Sequence, residues 1–136
     1  MLERFSISMD AALLKAFDRY LTARSYPTRS EGVRDLVRSA LVNEAWESNQ
    51  EVVGVITLVF DHHQRHLLDR MTEIQHRAHH AIVSTTHIHL NHHDCLEVII
   101  VREKAGAVRK LAGQLIALKG VKNGNLSLSS TGDHLP

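Results

Sequence analysis

The sequence is poor in the residues that staple, break or span. Of 136 residues, one is cysteine and two are proline. A single cysteine excludes an intrachain disulfide framework, so a reducing cytoplasm is the expected compartment. The aromatic share is low at 4%, while the 43% hydrophobic content suits a folded protein. The longest apolar run, Val52 to Phe60, is interrupted by Gly54 and Thr57. It falls far short of the about 20 residues that cross a bilayer core, so no membrane is expected as a partner. The opening MLERFSISMD lacks the apolar stretch of a secretory signal. Charge of one sign is missing too: the first 44 residues hold seven Lys/Arg against six Asp/Glu, and the remainder nine against nine. That balance excludes a nonspecific nucleic-acid binder driven by bulk charge. Any DNA contact must come from local geometry and from symmetric duplication of a few cations.

What the sequence does have is histidine. Ten of its 11 copies fall between His62 and His93. The length allows two small domains. In the first, Arg4 to Met9 alternates strictly, with Phe5, Ile7 and Met9 on one face and Arg4, Ser6 and Ser8 on the other, as a strand requires. Asp10 is placed to cap a helix carrying Leu13, Leu14, Phe17 and Leu21, which Tyr26-Pro27 ends. Thr28 to Glu31 has the capping-box pattern, and Val33, Leu36, Val37, Ala40 and Leu41 continue a second helix. Gly32, at the start of that helix, is read as a point of close packing. A lone strand and two helices cannot close a core by themselves. The economical solution is an intertwined dimer in which two chains pair their strands. The exposed face, Arg4, Ser6 and Ser8 from each chain, then fits the major groove of DNA.

A polar stretch near Asn43 to Glu51 separates this β-α-α segment, residues 1–48, from a second domain, residues 52–136. There the pattern predicts a buried strand over Val52–Phe60, a helix over Gln64–His80 and strands over Ala81–Leu90 and Cys95–Val101. A helix over Ala105–Leu118 closed by Gly120 and a last strand over Val121–Leu128 complete the order. The sequence as a whole is therefore α+β, and βαββαβ is the split-βαβ, ferredoxin-like arrangement.

The strongest chemical signal is His87-Ile88-His89, five intervening residues, then Cys95. Residues i and i+2 of a strand share a face. A hairpin turning near His92 puts Cys95 opposite His89 and Glu97 opposite His87, on that same face. A thiolate with imidazoles suits zinc, nickel, copper or iron, not magnesium or calcium. For a fourth ligand, His76 near the end of the preceding helix competes with His79 and His80. The pairs His62/His66 and His76/His80, at helical spacing, read more simply as solvated helix faces than as a second site.

These residues together resemble the nickel-responsive regulator (NikR) family of ribbon-helix-helix repressors over nearly the whole chain. RFSISMD followed by TRSEGVRDLVRSAL is similar to the family's DNA-binding module. VFDHHQRHLLDRM, Gln75-His76 and THIHLNHHDCLE are similar to its nickel domain, down to the H-x-H-x5-C spacing. The resemblance implies one square-planar Ni(2+) per subunit, held by His87, His89 and Cys95, with His76 supplied by a neighbouring subunit. It implies a homotetramer, a dimer of dimers joined through ferredoxin-like (ACT-like) domains. Arg4, Ser6 and Ser8 match the base-reading positions, and Arg29 and Ser30 a phosphate clamp at a helix N-terminus. Family members often have threonine where Ser6 and Ser8 stand. Glu31 and Asp35 lie where some relatives hold a weaker cation.

The expectation is a cytoplasmic repressor of nickel-uptake genes that binds a palindromic double-stranded operator when nickel is bound. Glu97 is expected to support the ligands from behind. The rival reading is a histidine-rich store or chaperone for nickel, copper or zinc. An open-site metalloenzyme is disfavoured, because four protein ligands leave no position for water.

Overall fold

A computed structural model describes residues 1–133 and 135–136. The chain divides into two compact units, Met1–Ser39 and Ala40–Pro136.

In the first unit, residues 1–10 carry no regular secondary structure. The sequence predicts a strand there, and the difference has a simple cause. A strand exists by virtue of its hydrogen-bonded ladder, and no other strand of this unit is available to pair with it. Helix α1 (Ala11–Ala23) begins where Asp10 accepts from the Ala12 amide at 2.8 Å, so the expected N-cap forms. It ends at Arg24, and Ser25, at φ 60°, turns the chain toward Tyr26-Pro27. Helix α2 (Arg29–Glu47) starts with the Thr28 hydroxyl accepting from the Glu31 amide at 3.1 Å. The Glu31 carboxylate pairs forward with Arg34 rather than back to the cap. Gly32 is buried, and a Cβ there would overlap the Leu21 side chain, so only glycine lets α2 approach α1 this closely. Leu21 is the single buried apolar side chain described in this unit.

The second unit takes Val42, Ala45 and Trp46 from the last turns of α2 into its own core. The Trp46 indole N–H donates to the Ser129 carbonyl at 2.9 Å, which satisfies the one polar atom of a buried side chain. Then follow β1 (Glu51–Asp61), α3 (Leu67–Arg77), β2 (Ile82–His89), β3 (Asp94–Lys104), α4 (Ala105–Ile116) and β4 (Val121–Leu128). The sheet order is β2-β3-β1-β4 with every neighbour antiparallel, the topology that the βαββαβ pattern predicts. Helix α4 stops at Ile116, two residues before the expected end. Gly120, at φ 103°, makes the turn into β4 rather than closing the helix.

Strand alternation decides which face meets the helices. Val52, Ile56, Leu58 and Phe60 of β1 and Cys95, Ile99 and Val101 of β3 are buried against Leu67 and Met71 of α3 and Val108, Leu111 and Leu115 of α4. The opposite face carries Val53, Val55, Val59, Leu96, Val98 and Ile100, all only half-buried. Strand β2 lies at the sheet edge and is almost wholly exposed. Its pairing with β3 slips by one between Ile82 and Ser84, a bulge that places Val83 outside the ladder.

Candidate metal centre

The β2–β3 hairpin sets the geometry. His89 pairs with Cys95 and His87 with Glu97, the register that a turn near His92 requires. Asn91 fixes that turn, its side-chain oxygen accepting from the His93 and Asp94 amides at 2.8 Å each. His87, His89, Cys95 and Glu97 consequently share the helix-covered face. The Cys95 sulfur lies 3.3 Å from His89 Nδ1. Burial pushes the Cys95 thiol above its ordinary range, and the carboxylates of Asp94, Asp61 and Glu97 push it the same way. A metal ion must therefore displace its proton.

The sequence reading missed His62. Its Nδ1 stands 3.5 Å from the Cys95 sulfur. The donor atoms of His62, His89 and Cys95 all lie within 4.8 Å of one another, and they form the three-donor group found among the described residues. The helical i, i+4 spacing with His66 was misleading, because His66 sits at φ 65° and α3 begins only at Leu67. His62 instead follows the end of β1. Phe60 pairs with Cys95 and Asp61 with Asp94, and the His62 amide donates to the His93 carbonyl at 3.0 Å. Two residues beyond Phe60, His62 continues the inward alternation of the strand. Carrying that alternation past Asp61 would have found it.

His87 does not join the group in one chain. Its ring packs edge-on against Phe60 at 5.7 Å between centroids, and its Nδ1 is 3.7 Å from a Glu97 oxygen. The other Glu97 oxygen accepts from the Gln75 amide at 3.0 Å. Glu97, buried apart from 6% of its surface, thus has a partner on α3 on one side and His87 on the other. His76 follows Gln75 on the exposed side of α3 and stacks on His79. It lines the same cleft between α3 and β2 as His87 and Glu97.

In the first unit Arg4, Ser6 and Ser8 are exposed, as are Arg29 and Ser30. Arg29 is held in a two-pronged pair by Asp18, Nε at 2.9 Å and Nη2 at 3.0 Å, and this hydrogen-bonded guanidinium keeps the Asp18 carboxyl below its usual range. Asp35 accepts from the Tyr26 hydroxyl, so both Glu31 and Asp35 already have protein partners.

Fold and donors together describe a small α+β domain with a nitrogen–sulfur group of the kind that holds late first-row metal ions. Residues 53–129 match the family of the NikR C-terminal nickel-binding domain. A protein of Desulfotalea psychrophila is 52% identical over 135 residues, covering 99% of each chain; its name, assigned provisionally, is nickel-responsive regulator. One of Geobacter metallireducens bears the same provisional name and is 52% identical over 133 residues, 97% of this chain and 96% of its own. The chain belongs to the nickel-responsive regulator family. An uncharacterised protein of Thermotoga maritima shares the fold, with a TM-score of 0.52 at 13% identity, over 57% of this chain and 96% of that one. No helix among the described residues is long and apolar enough to cross a membrane.

Proposed function

We propose that the protein is a nickel-dependent, sequence-specific transcriptional regulator that represses nickel-uptake genes when nickel is bound. The observation that carries the reading is the thiol–imidazole pair of Cys95 and His89, 3.3 Å apart at the end of a two-stranded edge. Thiol plus imidazoles is a donor set that fits nickel, and it does not suit magnesium or calcium.

In this reading residues 52–136 bind metal and assemble the protein, and residues 1–48 bind DNA. His87, His89 and Cys95 of one subunit hold one Ni(2+), and His76 of a neighbouring subunit completes the set. When bound, the ion supplies a bridge between subunits. The chain's own residues do the rest. Cys95 gives up its proton, and Gln75 and Glu97 tie α3, which bears His76, to the strand bearing His87. A homotetramer is supported by the apolar, half-buried sheet face of Val53, Val55, Leu96, Val98 and Ile100.

The DNA-binding role is supported by the first ten residues. Phe5 and Ile7 are 73% and 58% exposed in one chain. Pairing with a second chain would bury them and turn Arg4, Ser6 and Ser8 toward the major groove of a palindromic double-stranded operator. Arg29 and Ser30, at the start of α2, would then meet backbone phosphate. Operator binding and a cytoplasmic, non-enzymatic role belong to the same reading.

The test is an anaerobic Ni(2+) titration with absorption spectroscopy and operator binding measured in parallel. One nickel per chain, a thiolate-to-metal charge-transfer band and operator affinity that follows nickel occupancy are expected. Cys95→Ala should abolish tight nickel binding and nickel-dependent operator binding together. Several equivalent ions per chain, without operator binding, would indicate a store.

A further inference from the structure

His62 has no part in the ligand set just proposed, yet it is the imidazole that lies beside Cys95 on β1's side of the sheet. Three adjacent strands converge there. β3 in the middle carries Cys95, β2 on one side carries His89, and the residue just past the end of β1 on the other side is His62. The thiol-to-imidazole separations are 3.3 and 3.5 Å. In a tetrahedral site with bonds of about 2.1 Å to nitrogen and 2.3 Å to sulfur, neighbouring donors stand roughly 3.4–3.6 Å apart. Both imidazoles therefore already stand at coordination spacing from the sulfur, and the three donors lie within 4.8 Å of one another.

The group is also held from outside the side chains. The His62 backbone is tied to His93, His63 donates its amide to Asp61, and the Asn91 turn locks the far end of the hairpin. Cys95 is completely buried, His62 half-buried and His89 exposed, so an ion can arrive from solvent past His89 and meet the sulfur behind it. His87, turned to Phe60 and Glu97, is outside this group.

We propose that His62, His89 and Cys95 form a capture site for Ni(2+) complete within one chain. The ion is held there until His87 and a neighbouring subunit's His76 replace His62. This rests on the proposed nickel-dependent function and adds to it the order in which ligands are recruited. The capture site needs no second subunit, so a metal-free assembly can load each chain independently. A four-ligand site shared between subunits forms only where a second copy offers its helix.

The experiment uses the full chain with His76→Ala, which removes the shared ligand. Titrated with Ni(2+), this variant should bind one ion per chain with a thiolate charge-transfer band. Adding His62→Ala should weaken that binding at least tenfold and shift or remove the band, while adding His87→Ala instead should leave both within about twofold. In the otherwise unaltered protein, His62→Ala should slow the appearance of the band at least tenfold in stopped-flow mixing. Circular dichroism of each variant checks the fold, and His62→Gln serves if the alanine variant does not fold. If loss of His87 weakens binding in the His76→Ala background and loss of His62 does not, the capture site is overturned. Failure of the wild-type protein to bind its operator with nickel would sink the regulatory reading and leave the capture site intact.

Discussion

The two units of this chain use the same ingredients to different ends. In residues 40–136, each inward position of β1 and β3 from Val52 to Val101 meets a helix, and Phe60, Ile56, Leu58 and Ile99 are fully buried. In residues 1–39, Phe5, Ile7, Leu13, Leu36 and Val37 have equally regular spacing, yet all remain exposed. The difference lies in what each pattern has to pair with. Four strands and two helices can enclose one another, whereas two helices and an unpaired segment leave an apolar face with nothing on it. Periodicity thus reports where a side chain wants to go, and only the count of available partners says whether one chain suffices.

That contrast can be broken by mutation. Leu58→Ala should cost about 2–5 kcal/mol, read from urea unfolding followed by far-ultraviolet circular dichroism, because it opens a cavity in an enclosed core. Phe5→Ala should be nearly neutral for a single chain. A cost above about 1 kcal/mol that grows with protein concentration would show that a second copy covers it. Arg4→Ala should weaken specific operator binding by about 1–3 kcal/mol, with nickel stoichiometry unchanged. A fall in stoichiometry would mean that the two units do not divide the labour.

A further expectation concerns pH. The Cys95 thiol is raised by burial and nearby carboxylates, so it is protonated in the free chain and metal uptake must release that proton. Below the raised thiol value, nickel affinity should fall as pH falls, by about tenfold per unit for one released proton, which competition against a chelator would detect. A flat profile between pH 6.5 and 8 would imply that the thiol is not a ligand.

Much of the second unit was legible because its strands announce themselves by alternation and its hairpin has a single sensible turn. The register that sets His89 against Cys95 needed only Asn91 to Asp94 as the loop. Less legible was the stretch from His62 to His66. Its spacing mimics a helix, and the left-handed φ of His66 that ends that reading has no signature in a histidine. The polar stretch near Asn43 to Glu51 reads as a boundary, yet Trp46 within it packs into the core of the second unit, which begins at Ala40. Residues 4–9 make the opposite case: a strand's alternation is present there, and the ladder is not.

The bulge at Val83 has a consequence of its own. Strands count in twos, like a reading frame with a period of two, and one unpaired residue shifts that frame. Ile82, an even-numbered position, packs against the core, while His87 and His89, odd-numbered positions farther along the same strand, face the same side. In an unbroken ladder the five-residue step from Ile82 to His87 would put the two on opposite faces, and the bulge reconciles them. Deleting Val83 would leave Ile82 four residues before His87, so the ladder would run regularly from Val101 to Cys95 with Ile82 still inward and both imidazoles still beside Cys95. The bulge thereby absorbs one surplus residue and keeps two halves of one strand in phase, so the metal ligands are insulated from the loss of that exposed valine.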